Sequence, residues 1–190
     1  EFSLLKSNKR LDWAGNKFGL QVGIKTSDLF DLNHLNAMAE YNVVRPFSYS
    51  HRSSMQNYGN QFDPLAHPLG SNFREVLGKL SYWQNNVYFR AKFIRAWKGK
   101  NPVNENLGGD PYNINETPTT AFGHEMLQGI KTHLTYWDIR AGYTIVPEWG
   151  LALEGRLLGR SYRNENRNVQ NLYFQLGLSS TLHGVERFFY

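Results

Sequence analysis

Histidine is the side chain best suited to metal or acid–base chemistry in this chain, because the sequence contains six histidines and no cysteine. His124 and Glu125 begin like the His-Glu-x-x-His helix of zinc proteases, in which two histidines four residues apart bind one metal ion. Gln128 occupies the position of the second histidine, so this segment predicts no zinc site. His51 and His67 share one loop and could bind a metal together, but hydrogen bonding is the commoner role of such residues. We therefore predict no metal ion and no cofactor.

Carboxylates and nucleophiles do not form a recognisable catalytic pattern either. The sequence has neither the Gly-x-Ser-x-Gly turn of hydrolases nor a glycine-rich loop of the kind that binds phosphate groups. Glu40, Glu75 and Glu154 fall on different predicted strands, where pairing with arginine is the ordinary role of a carboxylate. We predict no catalytic residue and no enzymatic activity. A barrel hydrolase is the alternative, and it would need a serine, a histidine and an acid to meet at the loop end of the fold.

One long polar segment carries residue types that bind ligands. Residues 51–74 place aromatic rings beside asparagine and glutamine side chains, a combination that suits sugar binding. The same composition suits a loop that folds inward as a plug or docks a partner, and Pro64 and Pro68 favour a fixed conformation. The candidate ligand or partner residues of this loop are His51, Tyr58, Phe62, His67, Phe73 and Arg74.

These candidates must be positioned by β-strands, because apolar residues recur with a period of two in most of the chain. Within residues 87–93, for example, apolar side chains alternate with Tyr88, Arg90 and Lys92. The alternation predicts eight strands, at residues 2–6, 18–25, 35–49, 73–83, 87–93, 135–145, 151–158 and 172–179. An aromatic content of 15% is too high for a disordered chain. Residues 1–190 are therefore expected to form one folded domain.

Connections of two kinds separate the predicted strands. Residues 83–86 and 146–150 are tight turns by their Asn, Pro and Gly content, whereas residues 50–72 and 99–130 are long, polar and without a repeating period. Because the two kinds alternate along the chain, one end of the fold should be plain and the other elaborate. Residues 26–34 form a longer connection at the plain end, and residues 28–32 within it are expected to form a helical turn.

Three features favour an antiparallel outer-membrane β-barrel over a soluble sandwich. Several predicted strands reach about 10 residues, the length that a tilted strand needs to cross a bilayer. Barrels carry girdles of aromatic residues at the membrane interfaces. The aromatic residues near predicted strand ends are Tyr82, Trp83, Trp97, Tyr136, Trp137, Trp149, Tyr162 and Tyr173. The face opposite the apolar one suits a polar lumen, with the charged residues Arg90, Lys92, Arg140, Glu154 and Arg156. An even number of strands would place the long loops at the outer end.

The first long loop contains a pattern that is shared with a known family. It comprises Tyr49-Ser50-His51, Asn57-Tyr58-Gly59 and the run from Pro64 to Glu75. This pattern resembles a segment of Bacteroidota outer-membrane barrels that are similar to the Wzi-type capsule-assembly proteins and include gliding-motility relatives. The ending 180–190, with Arg187-Phe188-Phe189-Tyr190, resembles the closing strands of barrels from that phylum. Family members are longer and have more than eight strands. The resemblance therefore implies that this chain is the C-terminal portion of a larger barrel, the alternative being a complete small barrel.

The resemblance implies a role at the bacterial cell surface and no enzymatic activity. We expect a barrel that acts in surface polysaccharide attachment, gliding motility or a secretion-associated complex through its extracellular loops. Its partners would be outer-membrane lipid and lipopolysaccharide, together with surface polysaccharide or other outer-membrane proteins. An outer-membrane channel that uses the lumen charges and a soluble carbohydrate-binding β-sandwich are the alternatives. No nucleic-acid partner is predicted, because the net charge of +5 is spread evenly along the chain.

Overall fold

Antiparallel strands make up most of the described chain. The computed structural model describes residues 11–50, 59–60, 63–64, 67–112 and 120–180. Its strands are β1 (Gly19–Thr26), β2 (Leu35–Val44), β3 (Gly59–Asn60), β4 (Asp63–Pro64), β5 (Phe73–Gln84), β6 (Val87–Lys100), β7 (Ile130–Val146), β8 (Leu151–Arg163) and β9 (Asn168–Ser179). Short 3-10 helices occupy Leu29–Asp31 and Pro147–Trp149. The predicted all-β fold is confirmed. No helix in the described ranges is long and apolar enough to cross a membrane.

Seven strands form one sheet in which chain neighbours are also spatial neighbours. The order is β1-β2-β5-β6-β7-β8-β9, and every adjacent pair is antiparallel. The two-residue strands β3 and β4 pair only with each other. Within the described residues the sheet is open, with β1 and β9 as its edges, so these residues do not by themselves form a closed barrel. The strand predicted at residues 2–6 lies outside the described part.

The two ends of the sheet differ as the sequence predicted. At the plain end, residues 85 and 86 join β5 to β6, and the helix Pro147–Trp149 lies in the turn between β7 and β8. The helical turn expected at residues 28–32 corresponds to the segment Leu29–Asp31, in which Phe30 and Asp31 have left-handed φ values of 59° and 60° and are not in a regular right-handed helix. At the opposite end, which we call the loop end, residues 45–72 and 101–129 form the long connections. The β8–β9 connection, residues 164–167, is also at the loop end but is short.

Strand alternation gives the sheet one apolar and one polar face. The row of register partners through Phe93 consists of Ile24, Ala39, Gly78, Phe93, Trp137, Gly159 and Leu172. The adjacent row, on the other face, consists of Lys25, Met38, Lys79, Lys92, Asp138, Leu158 and Tyr173. We call the face that carries Phe93 the apolar face and the face that carries Lys92 the polar face. The predicted separation of apolar from charged residues is therefore confirmed in β6.

The strand predicted at residues 35–49 is too long. Strand β2 ends at Val44, two residues before Pro46, which has no N–H to donate to a sheet. Beyond it, Phe47 and Tyr49 have φ values of 62° and 69°, which are incompatible with an extended strand. Phe47 is buried among the loops instead of continuing the apolar face.

The aromatic residues that the sequence predicted near strand ends do not all belong to one girdle, and Tyr136, Trp137 and Tyr173 lie in the middle of β7 and β9. Alternation and register place four of those named above on the polar face, namely Trp83, Tyr136, Tyr162 and Tyr173. They cannot contact whatever covers the apolar face. Tyr82, Trp97 and Trp137 do lie on the apolar face. A position near a predicted strand end is therefore not enough to assign an aromatic residue to a girdle. Its parity within the strand decides where it points.

The tightest packing lies where the long loops meet the polar face. Phe73 is fully buried there, and the polar side chains of Ser71 and Asn72 are buried equally deeply. The buried apolar side chains of the described residues are Ala14, Val44, Phe47, Phe73, Leu77, Ala96 and Ala152. Few of them are large, and many large apolar side chains of the sheet are exposed on the apolar face instead.

Candidate functional site

The five charged residues predicted for a lumen all lie on the polar face of three neighbouring strands. Arg90 and Lys92 are on β6, Arg140 is on β7, and Glu154 and Arg156 are on β8. Arg90, Arg140 and Arg156 are in register, so three guanidinium groups stand side by side; we call them the arginine row. Like charges directly opposite one another in a sheet are destabilising. The arginine row therefore needs a compensating group.

Asp138 supplies this compensation from the adjacent row. Its two carboxylate oxygens accept hydrogen bonds from Nη2 and Nε of Arg156 at 2.7 and 2.9 Å. Nη2 and Nε of Arg140 donate to the same two oxygens at 3.2 and 3.3 Å, and the Tyr136 hydroxyl donates at 3.1 Å. Sequence reasoning missed Asp138. The strict alternation of Tyr136, Asp138 and Arg140 in β7 is the signal that could have identified it.

Tyr88 and Glu154 form a second polar contact that spans three strands. The Tyr88 hydroxyl donates to Glu154 Oε2 at 2.7 Å, although β7 lies between their strands. Gly142 makes the contact possible, because a Cβ atom there would overlap the Tyr88 ring. The guanidinium carbon of Arg90 lies 5.2 Å from the centre of the same ring. Tyr88 thus connects one carboxylate to one member of the arginine row.

The polar face carries more basic than acidic residues. Its strand residues include nine basic side chains, Lys25, Lys79, Arg90, Lys92, Lys98, Lys100, Arg140, Arg156 and Arg160, and four acidic ones, Glu40, Glu75, Asp138 and Glu154. Each of the four carboxylates accepts a hydrogen bond from a neighbouring side chain. The face is therefore electropositive, with its carboxylates already engaged.

The candidate loop residues are only partly described, and those that are described do not share one accessible surface. His51, Tyr58 and Phe62 fall outside the described residues. Phe73 is fully buried and stacks on His67, with ring centres 4.4 Å apart, so it is a packing residue and cannot contact a ligand. Arg74 is exposed but lies on the apolar face, opposite to Phe73. The structure does not bring His67, Phe73 and Arg74 together at one surface.

Hydrogen bonds engage both ring nitrogens of His67. Its Nδ1 accepts the backbone N–H of Leu69 at 3.1 Å, so the proton of a neutral ring is on Nε2. Nε2 lies 3.0 Å from Glu75 Oε2, and Asn42 donates to the same oxygen at 2.9 Å. In this arrangement His67 has no lone pair available for a metal ion, and its role is to fix the loop on the sheet.

Asn72 joins three segments at the loop end, and sequence reasoning missed this role. Its Nδ2 donates to the carbonyl oxygens of Gly99 at 3.0 Å and Gln128 at 2.9 Å. Its Oδ1 accepts the backbone N–H of Leu127 at 2.7 Å. Asn72 has a φ of 58°, a left-handed conformation that asparagine tolerates better than most residues. An asparagine directly before a predicted strand was the available signal.

Arg45 is buried in the same group of loops. Its Nη2 donates to the carbonyl oxygen of His124 at 3.2 Å, and its guanidinium lies 5.8 Å from the centre of the Phe18 ring. Burial lowers the pKa of Arg45 from its ordinary value, and the nearby charge of Asp12 partly opposes that effect. Phe47 packs edge-on against the His124 ring at 4.8 Å. We call residues 11–18, 45–50, 67–72, 101–112 and 120–129 together the loop cluster.

The segment that begins like a zinc-protease helix is a turn within this loop cluster. Residues 124–128 contain no helix. Gln128 Nε2 donates to the Leu107 carbonyl at 2.6 Å and lies 3.1 Å from His124 Nδ1. The His124 Nε2 atom lies 2.8 Å from the Thr120 carbonyl oxygen. Over the described ranges, no three His, Cys, Asp or Glu side chains are grouped so that they could hold a metal ion.

Comparison of the chain with protein-family models, curated protein sequences and solved structures finds no match.

Proposed function

We propose that this sheet is part of the wall of a transmembrane β-barrel in the bacterial outer membrane, with its apolar face toward lipid. The exposed apolar face is the observation that carries the proposal. Ile24, Phe174 and Leu176 are 72%, 71% and 67% exposed, and every strand of the sheet contributes exposed apolar side chains to that face. These exposed apolar side chains, which we call the apolar belt, extend roughly 30 Å across the strands and 20 Å along them, from strand and residue spacings. Soluble monomers rarely expose apolar patches larger than a few hundred Å².

The position of the belt along the strands also supports a barrel. The exposed apolar residues are centred on Val22 in β1 and between Phe174 and Leu176 in β9. The β9 residue in register with Val22 is Gln170, so the belt shifts by about five residues, or ~17 Å, across the sheet. Six strand spacings cover ~29 Å. If the belt lies parallel to the membrane plane, the strands must therefore be tilted by about 30°, close to the tilt in transmembrane barrels.

In this barrel the loop cluster faces the outside of the cell. We propose that it acts, without enzymatic activity, in surface polysaccharide attachment, gliding motility or a secretion-associated complex. The contrast between the hydrogen-bonded loop cluster and the plain end supports this assignment, because rigid scaffolds commonly carry their functional residues on loops. The resemblance of the first long loop to capsule-assembly and gliding-motility barrels agrees with it.

A channel is the second candidate, and the arginine row favours it. Arg90, Arg140 and Arg156 would face the lumen, where charged residues tune ion selectivity. A soluble carbohydrate-binding sandwich would need a second sheet to cover the apolar face. A partner for that face is absent from the described part of the chain.

A loop replacement tests the surface role. Residues 103–105, whose Val103 is 98% exposed, are replaced by Gly-Ser-Gly in the bacterium that produces the protein. We expect lower retention of surface polysaccharide or slower gliding, with an unchanged amount of folded protein in the outer membrane. The matched control replaces Leu29–Asp31 at the plain end in the same way, and it should leave both phenotypes intact.

The channel alternative is tested in the same strain. Arg90, Arg140 and Arg156 are changed together to glutamine, and ion conductance is measured alongside the surface phenotypes. If the loop replacement has no effect and only the glutamine variant changes a phenotype, the surface role is wrong and the channel takes its place.

A further inference from the structure

A groove on the polar face, at its loop end, combines three basic side chains with an aromatic ring. It encloses about 280 Å³, just below the range of roughly 300–1,000 Å³ that is common for small-molecule sites. Its lining residues are Lys100, Arg160, Tyr162, Arg167, Val169 and Asn171. None of them carries a carboxylate. We call this site the basic groove.

Separate elements bring the three basic residues together. Lys100 ends β6, Arg160 is on β8, and Arg167 belongs to the turn between β8 and β9. The turn is fixed, because the Asn164 N–H donates to the Arg167 carbonyl oxygen at 2.8 Å and the Asn164 side chain accepts the N–H of Asn166 at 3.0 Å. The groove therefore joins two arginines of the basic-rich segment 160–167 to Lys100, which lies two strands away in the sheet.

The charges of the basic groove lack the compensation found at the arginine row. In the described part of the chain, Lys100, Arg160 and Arg167 form no ion pair with a carboxylate, whereas Arg140 and Arg156 share Asp138. Lys100 instead lies over the Tyr162 ring, with its Nζ 5.0 Å from the ring centre. Three neighbouring cations without a counterion favour an anionic ligand. Arginine in particular suits carboxylate and phosphate groups, because its planar fork binds two oxygens at once.

The other lining groups suit a sugar. The Tyr162 hydroxyl accepts a hydrogen bond from Asn164 at 3.0 Å, which holds the ring at the groove. The Asn171 side chain offers amide donor and acceptor groups that match sugar hydroxyls. The position on the polar face, opposite to the exposed apolar belt, argues against a lipid-anchored headgroup as the source of the anion.

We propose that the basic groove binds an anionic saccharide through the carboxylate or phosphate group of the sugar, with Arg160 and Arg167 as the principal ligands of the anion. This inference deepens the proposed role in polysaccharide attachment by naming the class of saccharide. The basic groove is formed entirely by described residues, so the inference does not depend on how the barrel closes.

Binding to the purified full chain in detergent tests the proposal. The probes are a short oligogalacturonate, glucose 1-phosphate and an uncharged maltooligosaccharide, measured by calorimetry at low and high salt. We expect one or both anionic sugars to bind and the uncharged sugar not to bind. Affinity should fall as salt rises, because ionic contacts are screened. Equal binding of the uncharged sugar, or no binding of either anionic sugar, would overturn the proposal.

Charge variants locate the site. The double variant Arg160→Gln/Arg167→Gln should weaken binding at least about tenfold, because it removes two charge-assisted contacts. The matched control, Arg95→Gln/Arg163→Gln, removes the same charge from the apolar face of β6 and β8. It should bind within about twofold of the parent chain, since the lost charges lie on the other side of the sheet. Equal affinities of the two double variants would exclude the basic groove.

The failure of this proposal is distinguishable from failure of the proposed function. Vesicles carrying lipopolysaccharide form a further arm of the assay, and their binding in place of the free anionic sugars would overturn the saccharide assignment. Surface polysaccharide retention is measured in cells and does not enter the calorimetry. A loop replacement that abolishes retention while the groove variants bind normally would preserve the function and reject the groove.

Discussion

At the scale of single residues, buried polar side chains hold the loop end together. Asn72 makes three hydrogen bonds to backbone groups that lie 27 to 56 residues away in sequence. Gly108, with a φ of 73°, accepts hydrogen bonds from the Phe47 N–H and the Ser71 hydroxyl, and a Cβ atom there would collide with Phe47. These contacts make the loop cluster a packed structure.

Asn72 variants should separate the side-chain contribution from the backbone contribution. Asn72→Gly keeps the left-handed backbone but leaves three backbone partners unsatisfied, so we expect a loss of about 1–3 kcal/mol in the free energy of unfolding. Asn72→Ala should lose about 1–2 kcal/mol more, because alanine resists positive φ. Denaturant titration measures both losses. Limited proteolysis should also cleave both variants within residues 101–129 sooner than it cleaves the parent chain.

The exposed Asn104 provides the control for these variants. Asn104→Gly should change the free energy of unfolding by less than about 0.5 kcal/mol. If Asn72→Gly were equally mild, Asn72 would not be the residue that joins the three segments.

At the scale of elements, the orientation of each strand is the property on which the proposed function depends. In β6, Ala91 pairs with Leu80 and Ile139 on the apolar face, while the adjacent Lys92 pairs with Lys79 and Asp138 on the polar face. A single-residue shift in register would exchange the two faces. Neighbouring positions in one strand therefore report on opposite environments.

The variants Ala91→Arg and Lys92→Arg should consequently differ. If Ala91 faces lipid near the middle of the bilayer, Ala91→Arg should cost about 2–4 kcal/mol of folding free energy. Lys92→Arg keeps the charge on the polar face and should have little effect. Refolding into lipid vesicles, followed by denaturant titration, measures both values. Similar costs for the two substitutions would show that the orientation of β6 toward lipid is wrong.

At the scale of the whole molecule, the apolar belt and the open sheet each need surroundings that the described residues do not provide. The exposed apolar side chains need an apolar environment. The edges of β1 and β9, which have no strand partner among the described residues, need one. A closed barrel in a membrane satisfies both demands, because it pairs every strand and faces lipid. The two edges must then be joined through residues outside the described strands.

The intact protein should therefore require detergent for extraction from cells. It should also migrate differently in gel electrophoresis before and after boiling, because a closed barrel resists unfolding by detergent at room temperature. Membrane fractionation and paired gel lanes make both measurements. Extraction in plain buffer, or a single mobility in both lanes, would contradict the barrel and support a soluble sandwich.

The sequence by itself determined that the seven sheet strands exist, which faces they have and where the plain end lies, but not every strand end. Strand β6 continues to Lys100 beyond its predicted end at residue 93, and β7 begins at Ile130 before its predicted start at residue 135. Alternation is a local property, so apolar and charged residues such as Phe93 and Lys92 are separated by the geometry of any extended strand. Short turns are local as well, since residues 85 and 86 leave the chain no room for another path. Strand β2 was predicted too long because the pattern of apolar residues continued past Pro46.

Only the tertiary structure decided the sites, because these depend on segments that are distant in sequence. The Asn72 contacts, the shared Asp138 carboxylate and the Tyr88–Glu154 contact across Gly142 each need a particular register or loop path. The basic groove likewise unites the end of β6 with β8 and its turn. No local sequence pattern encodes these long-range contacts, since hydrogen bonding and packing select them only after the strands have paired.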